Sequence, residues 1–221
     1  MAIWSGTKPG RCRNWFYTRM NTEQISYYVT AGAFGLTILL WFGFAAIFLT
    51  RKKTGASTDT TKAPRSWAGL ILQSVAYMPV WAIRRLPIFS PLVYDYFVLN
   101  IVLQVLAVIL AAASVWLVMA AVNELGKQWS LQARLIKGHK LVTTGVYQIV
   151  RHPIYTAMLG MLVATGIAFS RWYVVFPAVL VFVIGTKIRT VFEERLLRDA
   201  FGQEFEDFQA SVPGLIPFVK I

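Results

Sequence analysis

Five apolar runs divide this chain, and their length fixes lipid as the main solvent. They are Ser26–Leu49, Trp67–Ile83, Phe97–Val122, Ile154–Phe169 and Trp172–Ile188. In a bilayer core each backbone N–H and C=O must be paired within its own segment, so runs of this kind read as transmembrane helices. The first has 24 residues, roughly 36 Å of helix against a hydrocarbon layer of about 30 Å. Composition agrees: 57% of the residues are hydrophobic and 14% charged, where a soluble domain carries about a quarter charged. The expected fold class is all-α: a polytopic membrane protein of about five transmembrane helices, with a C-terminal helical hairpin.

The residues between the runs supply the punctuation. Arg51-Lys52-Lys53 stops the first run, and Thr54–Ala63 reads as a flexible polar loop. Pro79 predicts a kink in the second run, with Ser74 or water taking the freed carbonyl. Pro87 and Pro91 mark a turn. Asn100 and Gln104, four apart, suit hydrogen bonds between helices better than a substrate role. Ser170-Arg171 is so short a link that the last two runs must be antiparallel neighbours. Ala157, Gly160, Ala164 and Gly166 are expected to let those two approach closely. Both are short for a bilayer and are expected to thin it locally or sit high in it, and Pro177 implies a second kink. Glu193–Phe208 reads as a separate amphipathic helix, with Leu196, Leu197, Ala200, Phe201, Phe205 and Phe208 on one side. Pro213 and Pro217 keep the end extended. Residues 1–24 are basic and lack helical periodicity, so a mobile segment is expected there. Met20 opens a stretch that could serve as a start of its own, which suggests that the first 19 residues are not part of the natural chain. No signal-peptide pattern precedes Tyr27.

The net charge is +12. Because the basic residues flank apolar runs, the partner they imply is an anionic lipid surface and not nucleic acid. Fifteen Lys and Arg fall in segments 51–66, 124–153 and 186–221, against seven in the opposite segments, four of them within residues 1–19. The positive-inside rule then puts the segment before the fourth run, and the C-terminal segment, in the cytosol. That corresponds to the endoplasmic reticulum in a eukaryote or the inner membrane in a bacterium. Cys12 is the single cysteine and the two histidines are thirteen apart, so neither a disulfide within the chain nor a metal site is expected.

One polar stretch is not generic. KGHKLVTTGVYQIVRHPIY, residues 137–155, holds both histidines, His139 and His152, with turn glycines and two tyrosines. Pro153 suits the first turn of a helix, where its missing N–H costs nothing. The hairpin returns Lys187, Arg189, Glu193 and Glu194 to the same membrane face. Arg189 and Glu193, four apart, can hold a zwitterion or pair with each other for about 0.3–0.5 kcal/mol; spacing alone favours the pair. Tyr147, Tyr155, Trp129 and Trp172 could by themselves be an interfacial aromatic belt.

The string GHKLVTTGVYQIVRHPIY, the pattern R-x-x-x-EE at Arg189–Glu194, and then FGQEF and VPGLIPF, together resemble the isoprenylcysteine carboxyl methyltransferase family. They are similar also to the wider group of membrane methyltransferases that includes the phospholipid methyltransferases. The resemblance covers roughly residues 95–221. It implies transfer of a methyl group from S-adenosyl-L-methionine to a carboxylate on a lipid-modified or lipid-like substrate that enters from the bilayer. It implies a cytosolic cofactor-binding segment over 124–155, with Gln132, His139, Lys140, Leu141, Val142 and Tyr147, then His152, Pro153, Ile154 and Tyr155, around the cofactor. Glu193 would bind the cofactor's ammonium group and Arg189 would be the catalytic residue facing the substrate carboxylate. Arg151 and Glu194 are secondary candidates. The expected organisation is a mobile basic segment 1–24 and two helices with a polar loop over 25–94, neither of which carries the resemblance, and then a methyltransferase core over 95–221 with three transmembrane helices that ends in an amphipathic helix at 193–210. Three other readings stay open: N-methylation of an amine phospholipid, a membrane reductase using NADPH with Arg134, Lys137 and Lys140 on its phosphates, and a non-catalytic lipid-binding protein.

Overall fold

The computed structural model describes residues 10–50, 60–62, 66–87, 89–93, 95–128, 134–136, 140–217 and 219. Among them are six helices: α1 Gly10–Thr50, α2 Ser66–Ala82, α3 Phe97–Leu125, α4 Pro153–Phe169, α5 Trp172–Phe201 and α6 Gln203–Ser211. Three are long and apolar enough to cross a membrane, namely α1 over Asn21–Thr50, α3 and α5. α2 and α4 have 17 residues each. The protein is thus an integral membrane protein built from helices.

The bundle forms around α4. α3 packs along one side of α4 with α1 laid against both, while α5 packs along the other side with α2 on it. Two apolar clusters hold these layers. One joins Phe44 of α1 and Ala111, Val118 and Val122 of α3 to Ala157, Met161 and Ala164 of α4. The other joins Ala76 and Val80 of α2 to Leu162 of α4 and Val174, Ala178 and Phe182 of α5. Several polar groups inside the bundle are paired between helices, as lipid favours. Asn100 Nδ2 donates to Ser26 Oγ at 2.9 Å, and Gln104 Nε2 to the Ile167 carbonyl at 3.3 Å. Trp41 Nε1 donates to Thr165 Oγ1 at 2.9 Å.

At the end of α4 the buried Arg85 does the work of a cap. Its Nη1 donates to the carbonyls of Ile167 at 3.1 Å and Ser170 at 2.9 Å, its Nη2 to that of Ala168, and its Nε to that of Ser90 at 3.0 Å. A cation there meets the negative end of the helix dipole and satisfies carbonyls that the helix leaves open.

Several expectations are corrected. Helix α1 already runs from Gly10, through residues expected to lack helical order; extending a formed helix costs far less than starting one. The amphipathic stretch is not one helix. Residues 193–201 continue α5 as a single 30-residue rod, and the break comes at Gly202, φ +52°, a conformation that glycine adopts without a Cβ penalty. α6 is the separate piece. Of the four small residues of α4, Gly166 faces α5, where a Cβ would lie 2.5 Å from Val175 Cγ2. Ala157, Gly160 and Ala164 serve α3 instead, and a Cβ on Gly160 would strike Ser114 Oγ. A short link fixes which helices are neighbours, not which face they share. Ser74 leaves the carbonyl freed by Pro79 alone and donates to the Leu70 carbonyl at 2.9 Å. A small antiparallel ribbon also joins β1, Thr60–Lys62, to β2, Arg134–Ile136. It ties the loop after α1 to the segment after α3, so both lie at one end of the bundle.

Candidate functional site

The stretch before α4 is folded against the end of α5 and α6. Leu141 and Val142 pack on a buried cluster of Ala121, Val146, Tyr147, Phe205, Phe208 and Val212. The turn at Gly145–Gln148 then brings Tyr147 inward, 7% exposed. Gly145 is required twice over. Its φ is +57°, and a Cβ there would strike the Glu124 carboxylate. Burial first, and then the carboxylates of Glu193 and Glu124, push the Tyr147 phenol above its ordinary pKa, so its hydroxyl stays protonated.

Pro153 opens α4 in the first turn, and the carbonyl of His152 accepts from the amides of Tyr155 and Thr156 at 3.0 and 3.1 Å. The chain beyond α6 lies along this corner. The amides of Arg151 and His152 donate to the carbonyls of Pro213 and Gly214 at 2.9 and 3.0 Å, and Thr156 Oγ1 donates to that of Leu215 at 2.5 Å. Arg151 Nη1 reaches the carbonyls of Gln209 and Val212.

Two carboxylates from α5 enter this corner. Glu194 Oε1 accepts from Arg151 Nε at 3.1 Å, Arg151 Nη2 at 3.0 Å and His152 Nε2 at 2.9 Å, and Glu194 Oε2 accepts from Gln209 Nε2 at 2.9 Å. An ionised carboxylate only accepts, so its partner assigns the proton of His152 to Nε2. The other ring nitrogen, Nδ1, lies 3.8 Å from Glu193 Oε2. Glu193 Oε1 accepts from the Tyr155 hydroxyl and from Arg189 Nη2 at 3.4 Å. The Tyr155 ring is stacked on one side with His152, centroids 5.7 Å apart, and carries the Arg189 guanidinium at 5.1 Å from its centroid. A cation over a ring face is held by the ring's quadrupole. The result is a largely buried cluster with one cation, one carboxylate of 20% side-chain exposure and a proton-bearing phenol.

Comparisons with known proteins concern this half of the chain. Residues 102–204 match the phospholipid methyltransferase family. That stretch is similar to the family over a little under half of the chain. Protein-S-isoprenylcysteine O-methyltransferase B of Arabidopsis thaliana is 34% identical over 90 residues, 41% of this chain and 46% of the relative. A probable protein-S-isoprenylcysteine O-methyltransferase of Oryza sativa subsp. indica is 34% identical over 82 residues, 37% of this chain and 43% of the relative. The chain therefore spans less than half the length of these curated relatives. These similarities agree with the resemblance carried by the RHPxY and R-x-x-x-EE motifs.

The structure brings Tyr147, Arg151, His152, Pro153, Tyr155, Arg189, Glu193 and Glu194 together. Ile154 points away, into apolar clusters with α3. Lys140 is exposed, and its amide donates to Gln128 Oε1 at 2.5 Å. Leu141 and Val142 are half-buried on Phe205 and Phe208. Gln132 and His139 lie outside the described residues. Tyr147 and Tyr155 are buried at 7% and 8% exposure, so neither belongs to an interfacial belt. Glu124, Gln209 and the backbone of 212–215 were not foreseen. Glu124 looks like the polar end of an apolar run, and backbone carbonyls carry no side-chain signal.

Proposed function

We propose that this protein is an S-adenosyl-L-methionine-dependent membrane methyltransferase that methylates the carboxylate of a lipid-modified or lipid-like acceptor. The observation that carries this reading is the meeting of Arg189, Glu193, Tyr155 and His152 at one end of the bundle. The donor set fits the cofactor's chemistry. Glu193 is the acid for an ammonium group, with His152 beside it. Leu141 and Val142 offer apolar surface for an adenine, and Gln132 and His139 belong to the same assigned set. When bound, the cofactor supplies a methyl group on a positively charged sulfur.

The chain's own residues then have positioning tasks. A carboxylate acceptor is already ionised, so no general base is needed. Arg189 is 5% exposed and can orient that carboxylate through parallel N–H donors. Holding the reactants in line can contribute about 7–11 kcal/mol. The surrounding apolar clusters keep water from the nucleophile. With the site at the inner leaflet, as the basic segments suggest, the acceptor's lipid stays in the bilayer while its polar end reaches Arg189. An isoprenylcysteine is one such acceptor, and it is the substrate named for the relatives above.

The family match also favours a second reading, N-methylation of an amine phospholipid. Arg189 argues against it, since a guanidinium 3.4 Å from Glu193 is a poor neighbour for a cationic headgroup. The test is calorimetric titration of purified protein with S-adenosylhomocysteine and with NADPH, followed by turnover with labelled cofactor on farnesylated cysteine and on phosphatidylethanolamine. Binding of S-adenosylhomocysteine and methylation of the farnesylated cysteine is the expected result. Binding of NADPH alone, or of neither, overturns it.

A further inference from the structure

Helix α2 lies outside the family-matched residues 102–204, yet it touches the residue assigned to the acceptor. Its buried face is Gly69, Gln73, Ala76 and Val80, the spacing of one helical stripe. That stripe is laid on α5. A Cβ on Gly69 would strike the carbonyl oxygen of Gly185, and would lie 2.5 Å from Arg189 Cγ and 3.1 Å from Arg189 N. A Cβ on Gly185 would lie 2.8 Å from the Gly69 carbonyl oxygen. The two backbones are therefore in contact, and the stem of Arg189 runs past the bare α-carbon of Gly69. One turn deeper, Gln73 Nε2 donates to Thr186 Oγ1 at 2.8 Å, while the Thr186 hydroxyl donates to the Phe182 carbonyl at 2.9 Å. Both side chains are buried, 0% and 1% exposed, so this bond fixes the register of α2 on α5.

We infer that α2 positions Arg189: Gly69 sets the path of its stem, and Gln73 with Thr186 holds α2 where that path is kept. An arginine side chain loses about 2 kcal/mol of rotamer entropy when fixed. A wall that fixes it before the acceptor arrives removes that cost from the bound state. Tyr155 and Glu193 hold the head of the same side chain, so the guanidinium is constrained at both ends. Gly69 and Gln73 are positioning residues and do not touch the reacting atoms. The inference rests on the carboxylate-methylation reading.

The test uses full-length protein in lipid nanodiscs, with S-adenosylhomocysteine as the cofactor probe and farnesylated cysteine as acceptor. Gly69→Ala is expected to keep the wild-type Kd for S-adenosylhomocysteine and to lose roughly a hundredfold in kcat/KM, the scale of a 1 Å misplacement. Gly166→Ala is the control. Its new methyl group would press α4 on α5 at Val175, away from α2 and Arg189, so it should lose much less. Equal losses in the two variants would reduce α2 to packing and overturn the inference. Should Gly69→Ala not fold, Gln73→Leu decides. It removes one hydrogen bond and should raise the acceptor KM about threefold or more at unchanged cofactor Kd; an unchanged KM overturns the inference. Wild-type activity that is lost in Arg189→Ala but intact in Gly69→Ala sinks this inference alone. A wild type that methylates no carboxylate acceptor takes the functional reading down with it.

Discussion

Glu193 and Glu194 are neighbours in the chain with different surroundings. Glu194 is surrounded by fixed donors, from Arg151, His152 and Gln209. Glu193 faces Tyr155 and Arg189, with His152 Nδ1 3.8 Å away. One carboxylate holds the corner together; the other is presented beside a cation.

Substitution should separate these tasks. Glu194→Ala leaves Arg151 half-buried without its carboxylate and should destabilise the protein by about 3 kcal/mol. Thermal unfolding in detergent reads this as a lowered Tm. Glu193→Ala also takes the carboxylate from the buried Arg189 and should lower the Tm as well, but the folded fraction should lose S-adenosylhomocysteine binding in calorimetry. Wild-type binding by Glu193→Ala would remove Glu193 from the cofactor site.

Arg189→Ala should keep the cofactor affinity and lower turnover by about a hundredfold or more. Arg189→Lys should restore little, because a point charge cannot reproduce the planar fork. Single-turnover kinetics with saturating labelled cofactor checks both, and a lysine variant of wild-type rate would show that charge alone suffices.

Tyr155→Phe keeps the ring against His152 and Arg189 and deletes the hydroxyl that donates to Glu193. Loss of one hydrogen bond to a charged group should weaken S-adenosylhomocysteine binding about tenfold. The Tm should change little, since ring stacking is retained.

At the other end of the bundle, Arg85→Ala opens the carbonyls of Ile167, Ala168, Ser170 and Ser90. A loss of about 3 kcal/mol or more is expected from bonds to a charged donor. Calorimetry on the folded fraction should still give the wild-type cofactor Kd, because the site lies at the opposite end of α4.

The parts of the fold that the sequence makes legible are those imposed by lipid. The apolar runs near α1, α3 and α4 could be read because a bilayer tolerates few other patterns, and Pro153 marked the start of α4 for a simple steric reason. The reach of α5 could not. Past Ile188 the pattern becomes amphipathic, and the same periodicity suits a new surface helix or a continuation of the old one. The family motifs pointed to Arg189, Glu193 and His152 without their geometry. Gly69 carried no signal, because a glycine in an apolar run looks like any small residue until its partner Gly185, more than a hundred positions away, is seen against it. Ile154, inside the RHPxY motif, faces an apolar cluster, since neighbouring positions of a helix point in different directions.

The hydrogen bonds from Arg151 and His152 to Pro213 and Gly214 have a consequence for the order in which the site is made. All six helices are synthesised before the segment that closes the corner. A chain still on the ribosome can hold every charged residue of the site and lack the backbone carbonyls that cover it. Competence would then wait for the segment that follows α6.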